Sequence, residues 1–326
     1  SAPNVCVVKV PDKRVEELTN IFNPKKKTPA EIVFEDYVGI AKDGSKKKES
    51  IFSEDVKQAD ALVHVCRAFE DETVPHPANK VDALDDAETF ELELIMSDLV
   101  QVDNKLERLE KEIKRKKTPE LEAEFELMQK LKATLEEEKP LRTITLNDEE
   151  KKIIRGYCFM SIKPMMLLLN IGEDQLGDKE LVEKLEVFAK SASIGMQALC
   201  GAIEMEIAQM SDEDQIEFLQ EYGITESARD IFIRKTYEMM GLIAFFTVGE
   251  DEVRAWTITK GTDAPNAAGV IHSDLQRGFI RAETVSYDDF MTVQSLAKAR
   301  EKGMLRQEGK TYIVKDGDII NIKFNV

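Results

Sequence analysis

Between Leu92 and Leu135 the apolar residues take on a spacing that restricts the fold more than any other feature of the chain. Leu92, Ile95, Leu99, Val102, Leu106, Leu109 and Ile113 alternate steps of three and four, which puts them on one stripe of a helix. The basic run Lys114-Arg115-Lys116-Lys117 follows. Next comes Thr118-Pro119, a side-chain cap with proline at the first helical position. Leu121, Phe125, Met128, Leu131 and Leu135 then make a returning stripe. Two stripes that face each other predict an antiparallel helical hairpin, a coiled coil over 86–140 with its basic cluster at the tip. Its seam needs no second chain.

On both sides of the hairpin, strand patterns alternate with helical ones. Residues 5–10, 31–36 and 61–69 read as strands. After Pro140 the pattern predicts a helix over 147–160, a strand from Pro164 to Asn170 and a helix over 181–190. A strand ending near Leu199-Cys200 and helices over 211–222 and 226–240 follow, with Ser211 and Asp214 as a capping pair and Gly223 as a stop. Such alternation predicts an α/β fold with a mainly parallel sheet and helices on both faces. From about residue 243 the texture changes to short strands at 254–259, 278–285, 310–317 and 319–326, with a hairpin turn at Asp316-Gly317. A small α+β domain of the β-grasp kind fits that order. The expected limits are 1–85 and 141–242 for the sheet domain, 86–140 for the hairpin and 243–326 for the last domain.

The net charge of −18 argues against nucleic-acid binding by the whole surface. Lys25–Lys27, Lys46–Lys48 and Lys114–Lys117 are local exceptions, either solvated turns or contacts to an anionic partner such as RNA. The four cysteines are too scattered for a zinc ribbon or a CxxC pair and fit a reducing cytosol. No apolar run approaches the length of a membrane span, so a cytoplasmic protein without a membrane partner is expected.

The segment PMMLLLNIGED (164–174) stops an apolar run at Asn170 and places Glu173 three residues later. Ligands of open parallel sheets collect at the carboxyl ends of strands. There an Asn can brace neighbouring loops, and a carboxylate just beyond can accept hydrogen bonds from a base or ribose. A strand-end Asn that caps a turn is the simpler reading of an isolated N-x-x-E. Asp36-x-x-Gly39 follows another predicted strand, a pattern that suits a carboxylate reaching Mg²⁺ through water and a glycine N–H meeting a terminal phosphate.

In combination these segments resemble the YchF branch of the Obg-related P-loop proteins, the Obg-like ATPases. The resemblance rests on PNVCVVKVPDKRVEEL, FEDYVG (34–39), HVCRAFEDETVPH (64–76), KPMMLLLNIGED (163–174), EVRAWTITKGTDAPNAAGVIHSDLQRGFIRAETVSYDDF and YIVKDGDIINIKFNV, which together span almost the whole chain. It implies a G-domain-like P-loop NTPase fold interrupted by a coiled coil and followed by a TGS domain of β-grasp type. It also implies ATP with Mg²⁺, GTP less preferred, and a ribosomal or rRNA partner. Asn170, Ile171 and Glu173 become base contacts, since the family carries N-x-x-E where related GTPases carry N-K-x-D. Leu199, Cys200 and Gly201 match the last nucleotide loop. Ile40, after Gly39, matches the hydrophobic residue that replaces a catalytic glutamine, and His76 matches the loop histidine assigned to hydrolysis. Between Pro75 and Pro77, His76 reads equally well as an exposed loop residue. No GxxxxGK[S/T] occurs in the 326 residues. The chain is therefore expected to lack the family's P-loop segment and to be hydrolysis-deficient. The alternative expectation is a non-catalytic ribosome- or RNA-binding adaptor on the same scaffold.

Overall fold

Strands and helices alternate along residues 4–37, 52–76, 80–221 and 226–325, the part of the chain that this computed structural model describes. The strands are β1 (Asn4–Lys9), β2 (Lys26–Thr28), β3 (Glu31–Asp36), β4 (Leu62–Arg67), β5 (Met165–Asn170), β6 (Gly195–Leu199), β7 (Leu242–Thr247), β8 (Glu252–Thr259), β9 (Phe279–Ser286), β10 (Arg306–Glu308) and β11 (Asp318–Phe324). The helices up to the last domain are α1 (Lys13–Phe22), α2 (Glu54–Gln58), α3 (Ala83–Arg115), α4 (Pro119–Glu136), α5 (Asp148–Ile154), α6 (Lys179–Ser191), α7 (Gly201–Gln209), α8 (Asp212–Glu221) and α9 (Ala228–Met239). Four short ones follow, α10 (Ala264–Ile271), α11 (Ser273–Arg277), α12 (Tyr287–Val293) and α13 (Leu296–Glu301). By compactness the chain divides into two units, Ser1–Val38 with Asp230–Val326, and Gly39–Arg229.

In the unit Gly39–Arg229, β4, β5 and β6 form a parallel sheet with β5 at its centre. Both faces of β5 are covered, which explains why its sequence is an unbroken apolar run rather than an alternating one. On one face Leu167 and Leu169 pack with Cys66, Ala83, Ala87 and Leu185 and Met165 packs with Phe52, Leu62, Leu94 and Met160, while on the other Met166 is buried and Leu168 partly buried.

The hairpin is present as α3 and α4. Ile95, Val102 and Leu109 of α3 are buried against Leu127, Met128, Leu131 and Leu135 of α4. The predicted stripe needs one correction, because Leu92 is 42% exposed. In the first half of α3 the buried face is instead Ala83, Ala87, Glu91, Leu94 and Asp98. Two charged residues on that face hide its period from a reading based on hydrophobicity. Asp98 is fully enclosed and accepts hydrogen bonds from Met160 N–H (2.7 Å), Ser161 N–H (2.7 Å) and Ser161 Oγ (2.6 Å). Glu91 pairs with Arg142 at 2.6 Å, and Arg142 Nε also donates to the Lys163 carbonyl at 3.0 Å. Helix α5 is shorter than the predicted 147–160. Asn147 and Glu150 form its capping box, but it stops at Ile154, and Cys158 takes a left-handed φ of 52° that a helix interior excludes. The predicted stop at Gly223 lies outside the described residues.

The other unit holds an antiparallel pair, β1 with β3, and a mixed six-stranded sheet in the order β10-β9-β11-β7-β8-β2. Consecutive residues of β7 serve opposite faces. Phe245 packs with Ala264, Ala267 and Ala268 of α10, and Phe246 packs with Val15 and Leu18 of α1 and Ile233 of α9. Fully burying each ring is worth about 1.5–3 kcal/mol. The predicted strand 310–317 is a second correction. It makes only an isolated bridge, Ile313 to Asp263, because its backbone is engaged elsewhere: Val314 N–H donates to Thr262 and the Tyr312 carbonyl accepts from Ala264. The turn at Asp316-Gly317 does form, with Gly317 at φ 84° and Asp318 N–H donating to the Lys315 carbonyl at 3.2 Å, but it leads into β11 from a loop.

On β4, the imidazole of His64 stacks on Phe90 of α3 with ring centroids 4.1 Å apart, and burial pushes its pKa down from 6.5 to about 4. A folded-state pKa below the unfolded one stabilises the fold above pH 6.5, and that stability is lost as pH falls from 6.5 through 4. The loss amounts to about 3 kcal/mol. Urea unfolding from pH 7 down to 4 should therefore show a steeper loss of stability for wild type than for His64→Gln. Parallel curves would contradict the buried, neutral imidazole.

Candidate functional site

Because β4, β5 and β6 run parallel, their last residues share one edge. Arg67 is in register with Asn170, and Asn170 with Leu199. Backbone bonds continue the ladder past the strands, from Ala68 N–H to the Asn170 carbonyl and from Ile171 N–H to the Leu199 carbonyl, both 2.9 Å. Helix α7 begins immediately after β6. Its capping residue, Cys200, supplies no side-chain acceptor, and Asn170 supplies one from the neighbouring strand: its Oδ1 accepts the Gly201 N–H at 2.9 Å. The approach is tight, since a Cβ there would lie 3.0 Å from Asn170 Oδ1 and the amide would have to give by a few tenths of an ångström. Asn170, Ile171, Leu199, Cys200 and Gly201 are thus held together. Ile171 and Cys200 are buried, and the positive end of the α7 dipole opens at this edge. Glu173 starts a short 3-10 turn, Glu173–Gln175, with its carboxylate exposed to solvent.

Two residues at this edge escape sequence reasoning. Gln175 accepts the Gly172 N–H through Oε1 (2.9 Å) and donates through Nε2 to the Ala68 carbonyl (2.7 Å), stitching the loop after β5 to the loop after β4. The spacing Gly172-x-x-Gln175, that of a helix-start box, is the signal that could have found it. Arg67 donates from Nη1 to the Val74 carbonyl at 2.9 Å and ties the loop leading to His76 back to β4.

His76 is not an exposed loop residue. Its side chain is only 10% exposed, and Nε2 lies 2.9 Å from Oδ2 of Asp86 on α3. A carboxylate in that position fixes the ring orientation. Asp36 ends β3 in the other compact unit and is exposed. Gly39, Ile40 and Lys46–Lys48 lie outside the described residues. Among the described residues no group of three or more metal-ligating side chains occurs. Mg²⁺ that arrives on a triphosphate keeps most of its waters and needs few protein ligands. No helix of the described residues is long and apolar enough to cross a membrane.

At the hairpin tip, Lys114 and Arg115 close α3, where cations complement the helix dipole, and Lys116 and Lys117 follow, all four exposed. Lys117 pairs with Glu122, while Lys114, Arg115 and Lys116 have no carboxylate partner among the described residues.

Comparison with known proteins bears on this edge. A family profile described as "YchF-GTPase_C: Protein of unknown function (DUF933)" matches residues 242–325. The chain is 42% identical over 330 aligned residues to the "Ribosome-binding ATPase YchF" of Bacillus subtilis, covering 99% of this chain and 90% of that protein. It is 36% identical to the "Obg-like ATPase 1" of Caenorhabditis elegans, covering 99% and 83%. Among solved structures, that of the Schizosaccharomyces pombe YchF GTPase superposes with a TM-score of 0.86 at 31% identity, over 99% of this chain and 88% of the other. Shared with it is an α/β P-loop NTPase-like fold with mixed and parallel sheets, helical insertions and a β-rich C-terminal domain.

Proposed function

The chain belongs to the YchF family of Obg-like ATPases, and on that premise we propose that it binds ATP in preference to GTP at the carboxyl edge of β4-β5-β6 and works in association with the ribosome in the cytoplasm. The observation that carries the reading is the Asn170–Gly201 hydrogen bond, which presents two loops and the start of α7 as one surface. In this reading Ile171 and Leu199 line the base, and Glu173 reaches its edge with one more methylene than an aspartate has. His76, oriented by Asp86, would stand near the phosphates. Mg²⁺ would neutralise phosphate charge. The 326 residues contain no GxxxxGK[S/T] to cradle those phosphates, so nucleotide binding is weak and hydrolysis by these residues alone is minimal. Residues 86–140 act as an inserted hairpin and 243–326 as a TGS domain.

Calorimetry with ATP and GTP tests the base assignment. Glu173→Asp should shift the preference towards GTP, since it restores the carboxylate reach that suits a guanine edge. An unchanged preference would remove Glu173 from the site.

The tip supports an RNA contact, which both the ATPase and the non-catalytic adaptor reading share. Three exposed cations without carboxylate partners, at the end of a 33-residue helix, make a locally positive field on an acidic chain. Binding through them should displace counterions from RNA and weaken steeply with salt. Replacing Lys114, Arg115, Lys116 and Lys117 by glutamine should reduce ribosome co-sedimentation and flatten its salt dependence. If the quadruple variant sediments like wild type at every salt concentration, the contact lies elsewhere, with Arg277 and Arg281 of the C-terminal domain as the next candidates.

A further inference from the structure

The amino edge of the same parallel sheet carries a second feature. A cleft of about 310 Å³ opens there, between the residues that lead into β4 and those that lead into β5. Four cations line it, Lys57, Lys151, Arg155 and Lys163, against a single carboxylate, Asp60. In a chain of net charge −18 this balance is a local inversion. The floor is apolar, built by Phe159 and Ile154, both buried.

The cations differ in how they are engaged. Lys163 is half-buried and donates to the Ala59 carbonyl at 2.6 Å, with no carboxylate partner among the described residues. Burial lowers its pKa, and the charges of Cys158, Asp60 and Asp98 only partly offset this. Arg155 is exposed and likewise has no carboxylate partner among the described residues. Lys57 and Lys151 have only Glu54 and Asp148, one helical turn away and largely exposed, and such pairs hold a side chain weakly, by about 0–1 kcal/mol.

We propose that this cleft binds a small phosphate-bearing ligand, with Arg155 and Lys163 as its principal contacts and Lys57 and Lys151 closing the rim. A guanidinium and an ammonium that line one cleft, neither held in an ion pair among the described residues, match the charge and donor demand of a phosphate group. The site is separate from the Asn170 edge. Lys163 precedes β5 and Asn170 ends it, so six strand residues, roughly 20 Å, lie between them. It therefore stands or falls independently of the base-binding proposal.

Cys158 belongs to the lining and is partly accessible, which makes it a local reporter. The rate of its alkylation by N-ethylmaleimide, followed by peptide mass spectrometry on the full chain, is measured with rising pyrophosphate and with sodium chloride of equal ionic strength. Pyrophosphate should slow Cys158 modification about threefold or more while leaving exposed Cys6 unchanged, and chloride should do neither. Arg155→Gln, which alters an exposed side chain, should weaken the protection, and adding Lys163→Gln should abolish it. Absence of protection in wild type, equal protection by chloride, or undiminished protection in Arg155→Gln would each overturn the proposal.

Discussion

The side-chain amide of Asn170 is the joint on which the candidate site depends. It ends a strand buried on both faces, so its position is set by the packing of Leu167 and Leu169 behind it. Its Oδ1 meets a helix start that has no cap of its own, 31 residues further along the chain. An unmet helix N–H at a buried end costs about 1 kcal/mol or more, so the same bond that stabilises α7 also fixes the loops on either side. Structural and recognition roles are therefore not rivals at this residue. A side chain rigid enough to cap a helix is also rigid enough to present a surface to a ligand.

A second constraint holds the long hairpin to the sheet. Asp98 and Glu91 sit on the buried face of α3 and engage Ser161, the Met160 backbone and Arg142. Burying these charges costs desolvation. Asp98 offsets it with three hydrogen bonds, while Glu91 Oε2 and Arg142 Nη2 have no partner among the described residues. The fixed pairing favours one register of α3 over its alternatives. Past Asp98 the helix is held mainly by its apolar seam with α4, with Gln101 donating to the Tyr157 carbonyl at 2.7 Å. The hairpin thus combines a polar anchor at its base with a seam that leaves Lys114, Arg115 and Lys116 of the tip without a carboxylate partner among the described residues.

Where burial follows one simple period, the sequence was readable. The seam of α3 and α4, the two-sided burial of β5 and the cap at Thr118 all appear where residue spacing puts them. Reading failed where long-range contacts overrule local pattern. Helix α7 carries Ile203, Met205 and Ile207 at a strand's spacing, and its cap comes from a different strand. Residues 310–317 have strand-forming side chains but spend their backbone bonds on the loop at 262–264. The site was legible at Asn170, Glu173 and Gly201 through a resemblance of motifs. The stitching by Gln175 and Arg67, and the pairing of His76 with Asp86, depend on a tertiary arrangement that one-dimensional spacing does not encode.

In the proposed function, the surface joined by Asn170 and Gly201 receives the base of an adenine nucleotide. Amide hydrogen exchange of the intact chain, with and without millimolar ATP, tests this most directly. ATP should slow exchange in the peptides that contain Ile171–Glu173 and Cys200–Gly201, and the amino edge of β5 should be a poorer responder. If ATP leaves both peptides unchanged, or protects only segments remote from this edge, the site is not there and the Asn170–Gly201 bond is a helix cap and nothing more.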